Sequence, residues 1–321
     1  MNRKACESRS RLYTNIREFF LSRGYLELDT PILAPDLIPE PTIDNFETVF
    51  ENEFAGSRSL YMIPSPEIFM KKLIADGAGS VFEITKCFRN SEQLGRLHNP
   101  EFTMLEYYTV DFDEKDSIEL TKLFLKETAI EGCPSSVLAP WLEMTVREAV
   151  IKYAGVDIDK LQKKCDLRQA ALEKGLHVPE NESWDDTFNR IFCTFVETSI
   201  PKDRPVLLTD YPKQIKCLAK EEGNCKRRWE LYINGIEVAN CYYEENNPSL
   251  VRQYYREEYQ SLIEARTENG KVIPDCDISF ADCFETFPKC SGVAIGLDRL
   301  LMAETGSNDI KDVLLFPYES F

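Results

Sequence analysis

Apolar residues near the start of the chain recur at the spacing of one face of a helix. Leu12, Ile16, Phe19 and Phe20 form this stripe, and Gly24 follows it. The pattern predicts a first helix that ends at the glycine. Residues 25–33 then predict a strand that ends near Pro31.

Two later segments alternate between apolar and polar residues. Val81–Phe88 and residues 102–110 both have this period of two, and a long segment separates them. We therefore predict two strands joined by a long loop. Before them, Ser65-Pro66 precedes Glu67–Ala75, and a serine followed by proline is typical of a helix start.

The second half of the chain predicts a hairpin and two helices. Asn234-Gly235 lies between two apolar runs, and this dipeptide favours a type I′ turn. A helix follows over about 249–268, and a glycine-bearing strand turns into a last helix at about Leu297. Residues 111–225 have a mixed, mostly helical pattern. These elements predict an α+β fold in which helices flank an antiparallel sheet, as one domain over 1–321.

The composition is that of a globular protein. The chain has 321 residues, of which 43% are hydrophobic and 29% are charged. No signal peptide and no apolar run as long as a membrane span is apparent, so we expect a cytoplasmic location. The eleven cysteines include no Cys-x-x-Cys pair, and His98 and His177 are the two histidines. A cysteine–histidine metal centre and a histidine-dependent triad are therefore poorly supported.

The net charge of −17 limits the class of partner. A protein that grips nucleic acid along its backbone normally presents a basic surface, so we expect no tRNA binding. An acidic surface attracts a basic protein partner instead.

The segment from Gly292 to Arg299 is a candidate phosphate site. Small residues permit close approach of the backbone, and Arg299 follows at the predicted helix start. Helix-start N–H groups and a guanidinium together suit a polyphosphate. The alternative is a glycine-bearing turn that serves packing alone.

The strand after residue 101 carries further candidates. Its alternation places Phe102, Met104, Glu106 and Tyr108 on one face, where a carboxylate and a phenol could bind an ammonium group. Arg89 follows the preceding strand and could face a phosphate. The alternatives are a solvent-facing glutamate and a surface salt bridge.

Glu237, Asn240 and Glu244 form a third candidate group. Two carboxylates with an amide suit Mg²⁺. Strict alternation places the two glutamates on opposite faces of a strand, so a shared site requires a bulge or a strand end between them. The alternative is a solvated acidic face.

The order of these segments resembles the catalytic domain of class II lysyl-tRNA synthetases from about Leu12 to the end. Residues 24–33 resemble motif one, and the series continues through residues 88–106, 237–244 and 292–299. The resemblance implies the class II aminoacyl-tRNA synthetase fold, use of ATP and Mg²⁺, and a homodimer formed through motif one. Because the catalytic pattern starts almost at Met1, we expect no anticodon-binding domain.

One residue points to a subgroup of this family. Ala294 stands where the synthetases usually have glycine. The chain is in this respect similar to stand-alone ligases that activate (R)-β-lysine or lysine as an adenylate. Those ligases transfer it to a lysine of elongation factor P. Two alternatives stay open: transfer of lysine to tRNA or a small molecule, and a non-catalytic paralogue that binds lysine or a nucleotide.

The resemblance also implies roles for individual residues. Arg89 and Arg299 are the expected catalytic residues, on the α- and γ-phosphates of ATP, and Phe102 is expected to stack on adenine. The other expected ATP contacts are Asn90, Ser91, Glu92, Asn99, Glu237, Val238 and Gly296. The expected contacts of the amino acid are Ser65, Pro66, Glu67, Glu106, Tyr108, Asn240, Glu244 and Ala294. Glu237 and Glu244 are the expected Mg²⁺ ligands.

Four residues depart from the family pattern. Ser91 stands where the family generally has glutamate, so Glu92 is an alternative ATP contact. Cys241 replaces the usual glycine after Asn240, and Tyr242-Tyr243 is bulkier than expected.

Overall fold

A computed structural model describes residues 3–91 and 94–320 of the chain. Its α-helices are α1 (Arg3–Leu21), α2 (Glu67–Ala75), α3 (Glu114–Thr128), α4 (Val146–Ala154), α5 (Lys164–Glu173), α6 (Trp184–Ile191), α7 (Pro248–Asn269) and α8 (Leu297–Thr305). Its strands are β1 (Leu26–Glu27), β2 (Leu33–Ala34), β3 (Glu47–Asn52), β4 (Gly56–Met62), β5 (Val81–Phe88), β6 (Glu101–Val110), β7 (Leu142–Thr145), β8 (Val206–Pro212), β9 (Glu221–Glu222), β10 (Cys225–Ile233), β11 (Ile236–Tyr243) and β12 (Cys290–Gly296).

Nine strands of the described part of the chain form one sheet. Eight of them lie in the order β1-β5-β6-β12-β11-β10-β8-β7, and β9 pairs with β10 at the side. The central pairs from β5 to β8 are antiparallel, as predicted. The outermost pairs, β1 with β5 and β7 with β8, are parallel, which the sequence did not predict. A second sheet contains β2, β4 and β3.

The prediction of one strand over residues 25–33 is wrong, because the middle of this segment lies in neither sheet. The chain pairs with β5 only at Leu26 and Glu27, and it joins the small sheet at Leu33 and Ala34. Pro31 lies between the two short strands. It cannot donate a backbone hydrogen bond, so the chain leaves one sheet before it enters the other.

One face of the main sheet is covered by α1, α3 and α8. Leu12, Ile16 and Phe20 of α1 are fully buried in a cluster that also contains Phe82 and Tyr107 of the sheet. Phe20 stacks on Phe82 with ring centroids 4.9 Å apart. The predicted apolar stripe is therefore the side of α1 that seals this face.

The alternation in β6 decides which residues face the opposite side. Leu105 and Tyr107 enter the core beneath α1, whereas Met104, Glu106 and Tyr108 point away from it and line cavities. Because successive side chains of a strand alternate, polar groups reach the second face while the first stays apolar.

The predicted hairpin is present and contains a bulge. Asn234 and Gly235 have φ of 54° and 75°, the left-handed values of a type I′ turn. In the pairing of β10 with β11, Leu231 faces Ala239 and Tyr232 faces Glu237, so Val238 is an extra residue. This bulge shifts the alternation of β11 between Glu237 and Asn240.

Residues 111–225 contain four α-helices and three complete strands, and all of these residues are described. The apolar residues of α4, α5, α6 and β8 form a second buried cluster that includes Val150 and Leu208, whereas those of α3 belong to the first cluster. The strands of this segment continue the main sheet. None of the described helices is both long and apolar enough to span a bilayer.

Candidate active site

Two adjoining cavities lie on the second face of the main sheet. We name them the Arg299 cavity and the Glu106 cavity. Arg89, Met104, Asn240 and Ala294 line both. The Arg299 cavity is otherwise lined by Leu97, His98, Asn99, Phe102, Thr103, Glu237, Val238, Ala239, Gly296, Asp298, Arg299 and Ile310. The Glu106 cavity is otherwise lined by Glu40, Pro64, Ser65, Glu67, Glu106, Tyr108, Tyr242, Glu244, Gly292 and Val293.

Arg89 lies where the two cavities meet. It follows the last residue of β5, and its backbone N–H donates to the carbonyl of Pro100 at 3.0 Å. Its guanidinium carbon lies 5.3 Å from the centroid of the Phe102 ring. Its buried Nε has no hydrogen-bond partner among the described residues. A buried, unpaired guanidinium nitrogen is a strong site for an anion.

Arg299 is held at the start of α8. Its Nη1 donates to the carbonyl of Glu237 at 2.9 Å, and its Nη2 lies 2.8 Å from Nε2 of His98. Since a guanidinium only donates, Nε2 of His98 accepts this bond. These contacts fix the guanidinium in the wall of the cavity, beside the N-terminus of α8.

Asp298 connects the start of α8 to the rest of the fold. One carboxylate oxygen accepts the N–H of Thr103 at 2.7 Å, and the other lies 2.6 Å from Nη2 of Arg9. Asp298 is almost completely buried. The position of Arg299 is thereby tied to β6 and to α1.

The Glu106 cavity contains a buried carboxylate with one unused oxygen. Oε1 of Glu106 accepts the Tyr108 hydroxyl at 2.6 Å, whereas Oε2 has no hydrogen-bond partner in the described chain. Burial raises the pKa of Glu106 well above its ordinary value, and the charge of Glu67 raises it further. A cation that reached Oε2 would satisfy this group.

A lysine of α2 lies beside the same cavity. Nζ of Lys71 is 2.5 Å from Oε1 of Glu67 and 2.7 Å from Oε2 of Glu244, and its side chain is fully buried. Burial raises the pKa of Glu244 to about 7, against the opposing charge of Lys71. Lys71 and Glu67 are four residues apart, so the helix places both on one face.

Gly292 provides the space in which two of these side chains meet. A Cβ at this position would lie 2.4 Å from Oε1 of Glu244 and 2.4 Å from Cε1 of Tyr108. Real side chains do not come so close, so any larger residue would displace one of the two. The lack of a side chain at Gly292 therefore leaves the space that Glu244 and Tyr108 occupy in the cavity wall.

Glu237 and Glu244 do not lie together, although both were expected to hold Mg²⁺. A bulge does lie between them, at Val238, and this is the irregularity that a shared site would need. Even so, Glu237 lines the Arg299 cavity, whereas Glu244 lines the Glu106 cavity and pairs with Lys71. No group of three histidine, cysteine or acidic side chains suited to a metal ion occurs within the described residues. Glu237 is partly exposed beside Arg299 and fits Mg²⁺ in company with phosphate oxygens, whereas Glu244 is already paired with Lys71.

Most of the other expected residues line the expected cavity, and a few do not. Asn99 lines the Arg299 cavity, but its side chain donates to the carbonyl of Glu101 and accepts the N–H of Tyr318. Asn90 and Ser91 line neither cavity, and the side chain of Asn90 accepts the N–H of Ser91. Pro66 precedes α2 behind Ser65, whose hydroxyl accepts the Glu67 N–H at 3.3 Å. Glu92 lies outside the described residues.

The structure places in or beside the site five residues for which the sequence suggested no individual role. These are Glu40, Lys71, His98, Arg228 and Gly292. Arg228 donates to Oδ1 of Asn240 at 3.1 Å and orients that amide. His98 and Gly292 were visible within the motifs, and Lys71 was visible at helical spacing from Glu67. Glu244, the second partner of Lys71, and Arg299, the partner of His98, lie far away in the sequence, so local patterns gave these two residues no role.

The sequence of the chain also matches a known family. The profile of the tRNA synthetases class II (D, K and N) matches residues 1–320. The chain therefore belongs to this family, and the predicted fold class is confirmed.

Individual relatives give a finer comparison. The elongation factor P–(R)-β-lysine ligase of Vibrio atlanticus is 34% identical over 98% of this chain and 96% of its own length. The ligase of the same name from Vibrio vulnificus is 35% identical over 97% and 94%. The lysine–tRNA ligase of Carboxydothermus hydrogenoformans is 31% identical over 96% of this chain but 64% of its own length. The predicted resemblance is confirmed.

Proposed function

We propose that this chain activates (R)-β-lysine or lysine with ATP and transfers the aminoacyl group to a lysine side chain of elongation factor P. The observation that carries the proposal is the junction of the two cavities. Arg89 lines both of them and has an unpaired buried Nε. One guanidinium can therefore contact an anion on each side, such as an α-phosphate and a substrate carboxylate.

The Glu106 cavity suits a substrate that carries ammonium groups. Four carboxylates line it, from Glu40, Glu67, Glu106 and Glu244, and Arg89 is the one lining arginine or lysine among the described residues. A lysine-like substrate brings ammonium groups to these acids and a carboxylate to Arg89. An analogue that lacks the terminal ammonium leaves a buried carboxylate unpaired, which costs roughly 10⁴-fold in specificity.

The Arg299 cavity suits the nucleotide. Phe102 offers a ring for stacking on the base, and Arg299 offers charge for the terminal phosphates. The substrate carboxylate attacks the α-phosphorus of ATP in line, and pyrophosphate leaves. Arg89 and Arg299 stabilise the charge that moves between oxygens in this step. The amine of the acceptor lysine then attacks the adenylate carbonyl, and AMP leaves as the amide forms.

Glu237 is the residue that we propose for Mg²⁺. Its side chain is 41% exposed and lies 3.6 Å from Nη1 of Arg299, so it is open to a cation that arrives with phosphate. The ion would supply charge neutralisation at the phosphate oxygens. Glu237 would hold it on the side of the Arg299 cavity.

The acceptor and the lysine isomer are proposed from the relatives and from Ala294. The two Vibrio relatives named elongation factor P–(R)-β-lysine ligase match over almost their whole length. Ala294 pairs with both Asn240 and Glu106 in the sheet and lines both cavities. Its methyl group narrows the point where the cavities meet, and a single methyl changes selectivity modestly. The charge of −17 is unfavourable for the alternative of tRNA as acceptor.

We also propose a homodimer formed through residues 24–33. Leu26, Ile32 and Leu33 of this segment are between 36% and 52% exposed. Neighbouring exposed apolar side chains are typical of a surface that a partner covers. Sedimentation of the purified chain would measure the state directly.

The test of the function is amino-acid-dependent ATP–pyrophosphate exchange with Mg²⁺, using (R)-β-lysine, α-lysine and no amino acid. Faster exchange with (R)-β-lysine, followed by transfer to purified elongation factor P, is the expected result. A preference for α-lysine together with transfer to tRNA would replace the proposal by a lysine–tRNA ligase activity. No exchange with either amino acid would favour a binding-only paralogue.

A further inference from the structure

Lys71 occupies a position where packing alone favours an apolar side chain. It lies on the buried side of α2 with Ile68, Met70 and Ile74, and none of its side chain is exposed. A buried lysine is costly, and replacement of a buried ion pair by apolar residues is often neutral or stabilising. Stability therefore gives no reason for a lysine here, and its contacts suggest a role in the site.

Both contacts of Lys71 are with walls of the Glu106 cavity. Its Nζ joins Glu67, at the start of α2, to Glu244, which follows β11. The two glutamates are 177 residues apart by number, from 67 to 244, and Glu106 faces the same cavity from β6. We propose that Lys71 is a positioning residue of the amino-acid site, which holds Glu67 and Glu244 in place through its two ion pairs and leaves Glu106 to the substrate. This inference rests on the proposed function.

The physical reason is the repulsion between buried carboxylates. When like charges share a site with little water, one of them takes a proton, and a protonated carboxyl no longer attracts an ammonium group. Lys71 opposes this for Glu244 through a direct ion pair, and its second ion pair fixes the position of the Glu67 carboxylate. The other charged or titratable groups around the pair are Glu40, Arg89, Glu106, Tyr108, Cys241, Tyr242, Glu245, Tyr255, Cys283 and Cys290.

Lys71→Met tests the inference because it removes the charge and keeps an unbranched side chain. Lys122→Met is the matched control: Lys122 also joins two glutamates, Glu119 and Glu143, at 2.7 Å each, but on the surface of α3. The KM for the amino acid and the KM for ATP are measured by pyrophosphate exchange as functions of pH. Thermal unfolding of each variant shows that it is folded.

We expect Lys71→Met to raise the KM for the amino acid by about tenfold at pH ~6, which corresponds to a pKa change of one unit in the Glu244 carboxylate. The KM for ATP stays near the wild-type value, and the loss diminishes as the pH rises. An equal rise in the KM for the amino acid at every pH would show that Lys71 serves packing. An unchanged KM would show that Lys71 has no role in binding. Either result overturns the inference.

Two further measurements keep the test decisive. Where Lys71→Met does not fold, Lys71→Gln retains an N–H donor without the charge, and the same upward shift in pH dependence is expected. Where the wild-type chain shows no exchange, the proposed function fails by itself. Calorimetric binding of lysine to the wild type and the variant then tests Lys71 separately, and an equal affinity at every pH overturns its role.

Discussion

The Tyr108 hydroxyl donates a 2.6 Å hydrogen bond to Oε1 of Glu106, two residues before it on the same face of β6. This bond uses one oxygen of the carboxylate and leaves Oε2 buried without a partner in the described chain. The tyrosine thus turns the carboxylate toward the cavity and cannot itself neutralise it. We therefore expect a cation to complete the Glu106 cavity.

Glu106→Gln tests this relationship. Glutamine can still accept the Tyr108 hydroxyl, but it brings no charge to the substrate. Since a hydrogen bond to a charged group contributes about 1.5–3 kcal/mol, we expect the KM for the amino acid to rise by roughly 10- to 100-fold. The KM for ATP should change little. Pyrophosphate exchange measures both values.

A matched control for this variant is available on the same strand. Glu101→Gln removes an exposed carboxylate that pairs with Lys86 at 3.0 Å. Exposed pairs of this kind contribute little, so the kinetics should stay close to those of the wild type. Equal effects of the two substitutions would contradict the role of Glu106.

Gly292→Ala should damage the same cavity by overpacking. The new methyl would overlap Glu244 and Tyr108, and one of them must move. We expect a loss of about 1–3 kcal/mol in the free energy of unfolding and a fall in kcat/KM for the amino acid. Chemical denaturation and exchange kinetics measure the two effects. Gly95→Ala is the control, because a Cβ there meets nothing within 4 Å; a wild-type kcat/KM in Gly292→Ala would contradict the geometry.

The affinity for the amino acid should depend on pH near neutrality. Burial raises the pKa of Glu244 to about 7. The ionised form attracts ammonium, so affinity is present above that pH and is lost as the pH falls through it. Below the midpoint the KM should rise by about tenfold per pH unit for one proton. Glu106 also titrates in the cavity, so the observed midpoint belongs to the coupled groups. Exchange kinetics across this pH range measure the KM for the amino acid, with the KM for ATP as the control. A KM for the amino acid that does not change with pH would refute the prediction.

The local sequence pattern predicted the elements that carry the site, because each depends on neighbouring residues. Ser65-Pro66 marked the start of α2, Asn234-Gly235 marked the hairpin, and the alternation of β6 placed Glu106 and Tyr108 on one face. The parallel pairing of β1 with β5 depends on residues about 55 positions apart, as Leu26 and Val81 show. No local period reports such a pairing.

The same limit applies to the charges of the site. Glu237 and Glu244 looked like a pair because they are near in sequence, but the fold gives each a different partner. Glu244 pairs with Lys71, and most strands of the main sheet lie between these two residues along the chain. Spacing identified the residues that carry charge, and only the tertiary structure shows which charges are already paired.

Glu304 offers a test of stability away from the cavities. It is 1% exposed, its Oε2 accepts the Ile130 N–H at 3.1 Å, and its Oε1 has no partner among the described residues. Burial raises the pKa of Glu304 to about 7 in the folded chain. The free energy of unfolding therefore falls as the pH rises from the pKa of the unfolded chain toward 7, because ionisation is less favourable in the folded chain. We expect Glu304→Gln to raise the free energy of unfolding by about 2–3 kcal/mol above that pH and to change little near pH ~4. Denaturation at both pH values measures this, and an equal effect at both would contradict it.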